Sequence, residues 1–153
     1  VPFRGVAIAM QEPIGVVGVV APNEAPLFGF VSMIAPLLAT GNTVVAVPSE
    51  AHPLAATDLY TVFESSDLPG GVVNIVTGAS EPLGKVLAEH DDVEALWFMG
   101  TEAGRRTMEL ASAGNMKRTF CRLTPRDASV PDDMRALLRE ATQVKNIWVP
   151  YGA

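Results

Sequence analysis

A chain of 153 residues, 48% hydrophobic and 18% charged, is long enough for one domain with its own core and too apolar to be disordered. Its net charge of −6, with no basic run to offset it, excludes a broad nucleic-acid surface. One cysteine, Cys121, excludes an internal disulfide, and the two histidines, His52 and His90, add no zinc constellation to it. No apolar stretch has the length of a membrane span, and the opening VPFRGVAIAM lacks a signal-peptide pattern. The expectation is a soluble, cytoplasmic protein without a metal.

The elements alternate. IGVVGVV, from Ile14 to Val20, is a continuous β-branched run, as in a strand covered on both faces. After the turn APNEAP, Leu27 to Ala39 reads as a helix apolar on nearly every side, hence buried, kinked at Pro36 and ended by Gly41-Asn42. Thr43 to Val47 is a second strand. Pro53 opens a helix with Ala55, Leu59, Val62 and Phe63 on its inner face, stopped by LPGG at 68 to 71. Val72 to Val76 is a third strand, followed by the turn TGAS. Pro82 starts a helix with Leu83, Val86 and Leu87 inward. A fourth strand spans Ala95 to Met99, a helix Glu102 to Ala113, and a short strand Arg118 to Leu123. TPRDASVPDD is turn and cap chemistry without a period. A helix from Asp132 to Ala141 places Met134, Leu137, Leu138 and Ala141 on one face, and Val144 to Val149 is the last strand.

Repeated β-α units demand right-handed crossovers, so the fold class is α/β: a Rossmann-like, mainly parallel sheet with helices on both faces. Ligands of such sheets bind beyond the carboxyl ends of the strands, which singles out the turns 21 to 26, 48 to 53, 77 to 81 and 99 to 103. None carries GxGxxG or a phosphate loop.

EPIGVVGVVAPNEAP, GNTVVAVPSEAHPLAA, LPGGVVNIVTG and HDDVEALWFMGTEAGRR, in that order, resemble consecutive blocks of the cofactor-binding domain of aldehyde dehydrogenases, over roughly residues 12 to 119. The pattern, with the ending ATQVKNIWVPYGA, is most similar to the degenerate carboxy-terminal domain of family 16 aldehyde dehydrogenases. The resemblance implies a site. Asn23 falls at the asparagine of the family's oxyanion hole, but beside Glu24, whose charge opposes a developing oxyanion; a turn or cap role before the Pro26 helix is preferred. Glu50 falls at the glutamate that accepts from the adenosine ribose, while the lysine that accompanies it in the family is Val47. Gly78 and Gly100 keep small residues in the third and fourth turns. Met99 replaces a hydroxyl residue, and Glu102 at the helix start would repel a diphosphate; a favourable first-turn carboxylate is the preferred reading of Glu102.

In the same register the family's general base falls on Arg122, which stays protonated at neutral pH, and its two following glycines fall on Thr124 and Pro125. Cys121 reads as a small core residue, and His52 and His90 as surface residues. The nucleophile segment is missing. The resemblance therefore implies one domain over 1–153. Residues 14–142 form its cofactor-domain core, and residues 1–13 and 143–151 are oligomerisation strands, from a longer polypeptide.

The function expected is non-catalytic: assembly into a homo-oligomer or onto a catalytic aldehyde dehydrogenase domain, with binding of NAD or NADP weak or lost. The alternative is the NAD(P)-binding portion of an aldehyde oxidoreductase, with Glu50, Gly78 and Gly100 touching the cofactor. A third reading is a binding module for another ligand in the same crevice.

Overall fold

The continuous β-branched runs become a five-stranded parallel sheet. The computed structural model describes residues 4–122 and 131–150. In chain order its elements are β1 (Gly5–Pro13), β2 (Val16–Val20), α1 (Pro26–Ala39), β3 (Thr43–Val47), α2 (Leu54–Thr57), α3 (Tyr60–Glu64) and β4 (Val73–Ile75). There follow α4 (Ser80–Glu89), β5 (Ala95–Met99), α5 (Glu102–Ser112), β6 (Arg118–Arg122), α6 (Pro131–Glu140) and β7 (Thr142–Pro150). The sheet order is β4-β3-β2-β5-β6, and every neighbouring pair is parallel. The order reverses at β2, so the turns after β2 and β5 diverge and open a crevice between them.

Strand alternation divides the core in two. Val17, Val19, Val44, Ala46, Ala95 and Trp97 meet α1 and α6 on one face, through Phe30, Met33, Leu37 and Leu137. Val20, Val47, Leu96 and Phe98 meet α4 and α5 on the other, through Leu87 and Met108. The α/β expectation holds.

The differences lie in faces and ends. The helix expected from Pro53 is two short helices, α2 and α3, whose buried contact is Ala56, with Leu59 and Phe63 half-buried. Val62 points to solvent. On α4 the inward residues are Leu83 and Leu87, while Val86 is 58% exposed. Helix α1 runs through Pro36, and Gly41 follows it in the left-handed region at φ 88, as a helix-stopping glycine should. The helix is not buried all round, because Leu27, Phe28 and Val31 of its amino half lie exposed. Met134 and Leu138 of α6 are also exposed, leaving Leu137 and Ala141 as its anchors. In each case the apolar stripe was wider than the element available to cover it. Residues 123–130, which include most of TPRDASVPDD and the positions Thr124 and Pro125, lie outside the described residues.

The first and last strands pair antiparallel with each other, in unbroken register from Gly5 opposite Pro150 to Pro13 opposite Thr142. This ribbon stands clear of the five-stranded sheet, and nearly all of it is exposed. Its foot is fastened by Asn42, a 2% exposed side chain. Asn42 Oδ1 accepts from the backbone of Ile14 at 2.7 Å and of Gly15 at 3.1 Å, where β1 ends. Its Nδ2 donates to the Leu37 carbonyl at the end of α1 (3.1 Å) and to the Ala141 carbonyl where β7 begins (2.9 Å).

Replacing Asn42 by Ala leaves the Ile14 and Gly15 N–H groups without their acceptor, takes one donor from the Leu37 and Ala141 carbonyls, and should cost about 2–4 kcal/mol. Asn42→Asp should cost a similar amount, since a carboxylate accepts but cannot donate to Ala141. Urea denaturation checks both: midpoints within error of wild type would contradict the role given to this side chain.

Candidate functional site

Three turns converge at the carboxyl edge of the sheet. The chain leaves β2 at Val20, β3 at Val47 and β5 at Met99, and a cleft of about 490 Å³ lies between these exits and the amino ends of α4 and α5. Its floor is apolar, built by Val20, Phe98 and Met108. Val47 belongs to the same packed cluster at 1% exposure, so it lends the cleft no charge.

Of the residues singled out in the sequence, Asn23, Glu50 and Gly100 line the cleft and Gly78 does not. Asn23 does not cap α1: the cap position is Ala25, in the left-handed region at φ 47 and without a side-chain hydrogen bond. Instead Asn23 Oδ1 accepts from the buried Ser49 hydroxyl (2.9 Å) and from Ala51 N–H (3.2 Å), tying the first turn to the second. Glu50 Oε2 accepts from Ser80 N–H at 3.0 Å, so this carboxylate caps the amino end of α4. Gly100 allows a close approach, but by the protein itself: a Cβ there would lie 2.8 Å from Phe98 Cζ, and at Gly104 it would lie 2.6 Å from the same atom. Gly78 sits at φ 155 with Leu83 Cδ1 2.9 Å from where its Cβ would be. Its small size admits a helix side chain.

Glu102 opens α5 behind Thr101, whose Oγ1 accepts from Gly104 N–H at 3.1 Å. The Glu102 carboxylate receives Arg105 at 2.6 and 2.9 Å and Arg106 at 3.1 Å. Those hydrogen bonds, Arg105 first and Arg106 second, hold its pKa down at about 2. The first-turn carboxylate expected here is present, and two guanidinium groups match its charge. Glu24 and Glu81 complete the acidic lining, and Ser80 Oγ is buried without a hydrogen-bond partner among the described residues. Ser80 and Glu81 fall inside the turn 77 to 81 and Phe98 at the entry to the fourth turn, each without an assigned role, while Met108 carries no signal beyond its helix.

Arg122 stacks its guanidinium 4.4 Å from the centroid of Phe120, and its carbonyl accepts from Gly100 N–H. Cys121 is half-buried against the α4–α5 layer, and burial, with a smaller push from Glu109, raises its thiol pKa to about 11. His52 and His90 sit exposed in turns, with His90 Nδ1 accepting from Asp92 N–H. Among the described residues no three His, Cys, Asp or Glu side chains gather to hold a metal ion, and no helix is long and apolar enough to cross a membrane.

A parallel sheet with a crevice at its switch point defines the chain as a Rossmann-like α/β domain. More specifically, residues 3–136 match the model of the aldehyde dehydrogenase family, and the chain belongs to that family. It is 35% identical over 125 residues to NADP/NAD-dependent aldehyde dehydrogenase PuuC of Escherichia coli, covering 81% of this chain and 25% of that protein. It is 41% identical over 114 residues to aldehyde dehydrogenase 1A1 of Equus caballus, covering 74% of this chain and 23% of that one. The aldehyde dehydrogenase KauB of Pseudomonas aeruginosa superposes with a TM-score of 0.74 at 34% identity, over 79% of this chain and 25% of KauB. A betaine aldehyde dehydrogenase of Staphylococcus aureus, solved with NAD+, superposes at 0.73 and 30% identity, over 76% and 24%. The chain spans about a quarter of the length of these relatives.

Two measurements probe this chemistry. At pH 7 to 8 the Cys121 thiol is almost wholly protonated, so iodoacetamide should label it at least about a hundredfold more slowly than an ordinary thiol of pKa about 8.5. Labelling at the free-thiol rate would contradict its burial. The folded pKa of Glu102 lies below the ordinary glutamate value of 4.5, so its stabilisation is complete above that value and is lost as pH falls toward 2. The difference in melting temperature between wild type and Glu102→Gln should therefore stay constant from pH 5 to 8 and shrink between pH 4.5 and 2.

Proposed function

We propose that this chain is a non-catalytic aldehyde dehydrogenase domain whose role is assembly, with a second copy of itself or with a catalytic aldehyde dehydrogenase domain. One observation carries the proposal: the β1–β7 ribbon. A two-stranded ribbon standing alone is marginal in water. This one has a face on which Val6 pairs with Val149 and Ile8 with Ile147, continuing to Met10. Val6, Ile8, Met10 and Val149 are each more than two-fifths exposed. An apolar face of this kind, with open strand edges beside it, is finished by a partner.

Loss of catalysis and weak or lost cofactor binding belong to the same reading. Arg122 stands where the family has its base, and its cation cannot accept a proton. The crevice fits the diphosphate of NAD or NADP poorly. Glu50 and Glu81 already occupy the positive end of α4, and Thr101 and Glu102 that of α5. No lysine or arginine occurs from residue 5 to 84, so the first three turns supply no cation. Arg105 is committed to Glu102 and Glu109. A cytoplasmic setting suits the lone buried thiol.

The second reading, an NAD(P)-binding portion acting with a catalytic domain elsewhere, draws on the volume of the cleft and on its unpartnered Ser80 hydroxyl. Gly100 and Glu50 would then contact the cofactor at the lining, with Gly78 behind it.

Light scattering tests the assembly role. The wild-type chain should elute as a dimer or larger, or co-elute with a catalytic aldehyde dehydrogenase domain. Ile8→Lys combined with Val149→Lys should abolish that association while changing stability by no more than about 1 kcal/mol, as exposed positions do. A monomeric wild type that joins no catalytic partner would sink the proposal.

A further inference from the structure

A second cavity, of about 300 Å³, lies away from the crevice, between α3, the Leu68-Pro69-Gly70-Gly71 turn and β4. Tyr60 and Phe63 line it, with Glu64 beside them. The two rings stand perpendicular, at 89°, with centroids 6.2 Å apart. The pair is edge-to-face, and a cation seated over an exposed face of either ring lies inside the roughly 6 Å over which an aromatic ring attracts it.

The wall is set before any ligand arrives. The Tyr60 hydroxyl accepts from Ile75 N–H of β4 at 3.1 Å, which fixes the ring by both ends. The opposite turn is closed by Val72 N–H on the Pro69 carbonyl and by Asn74 Nδ2 on the Gly71 carbonyl at 2.7 Å. Gly70 and Gly71 leave open space where side chains would stand, so the mouth is unobstructed. Leu68 and Val73 complete an apolar lining.

Charge decides what would fill it. Glu64 is exposed and makes no ion pair among the described residues, and Asp67 lies three residues on. The surrounding sequence, from residue 5 to 84, offers no lysine or arginine to answer them. We propose that this pocket binds a small organic cation of the quaternary or methylated ammonium class, its methyl groups against the Tyr60 and Phe63 rings and its charge balanced by Glu64. The site is independent of the crevice and of the assembly role.

Choline and its neutral isostere, 3,3-dimethylbutan-1-ol, separate cation recognition from simple apolar filling. In titrations of the whole chain followed by NMR, choline should saturate with a millimolar dissociation constant and shift the ring signals of Tyr60 and Phe63. It should bind at least about fivefold tighter than the alcohol, as a modest cation–π contribution implies. Phe63→Leu and Glu64→Gln should each weaken choline about fivefold or more while leaving the alcohol unchanged or strengthened. Unchanged melting curves certify that the variants fold, and Glu64, being exposed, serves even if Phe63→Leu does not. Equal binding of choline and the alcohol, choline binding unaffected by Glu64→Gln, or no saturation by choline would each overturn the proposal.

Discussion

Asn42 is the joint on which the layout depends. Its one amide reaches the end of β1, 28 residues back, the end of α1 nearby, and the start of β7, 99 residues on. Without it, the Ile14 and Gly15 N–H groups at the foot of the ribbon would lose their acceptor, and the Leu37 and Ala141 carbonyls one of their donors. The Thr40 hydroxyl, which accepts from Asn42 and donates to the Ala141 carbonyl, reinforces the same corner. With the foot held, the ribbon stands apart from the five-stranded sheet with its apolar face outward. Under the proposed assembly role, folding and association meet in one buried side chain.

The crevice keeps the form of a ligand site because the protein packs against its own edges. Phe98 lies under Gly100 and Gly104, and Val47 fills beside Val20 and Leu87, so the floor is part of the core and not an empty shelf. The polar groups of the rim are largely turned on each other: Asn23 on Ser49, Glu50 on Ser80, Thr101 on Gly104, Glu102 on Arg105 and Arg106. A site whose hydrogen bonds are satisfied internally loses the reward for taking a ligand, since each contact formed must replace one already made.

The sheet was legible in the chain because its strands are continuous β-branched runs, a pattern that only a doubly covered strand tolerates. The turns followed from the glycines and prolines that bound those runs. Helix faces were less legible: periodicity marks an apolar stripe on α4 or α1 but cannot say whether a neighbour covers it, and Val86, Leu27 and Phe28 have none in this chain. Least legible were the polar roles. An asparagine after a glycine reads as a turn, and nothing local to Asn42 announces partners so far along the chain. Glu50 falls at the family's ribose glutamate, but nothing local to it announces its hydrogen bond to the amino end of a helix thirty residues later. Long-range polar pairing has no period to read.

We propose, as part of the same reading, that the crevice has been kept for its shape and not for a dinucleotide. Isothermal titration calorimetry of NAD+ and of NADP+ into the whole chain tests it directly. No saturable heat up to millimolar concentration is the result expected of a rim already satisfied from within. Saturable binding of either cofactor in the micromolar range would contradict it.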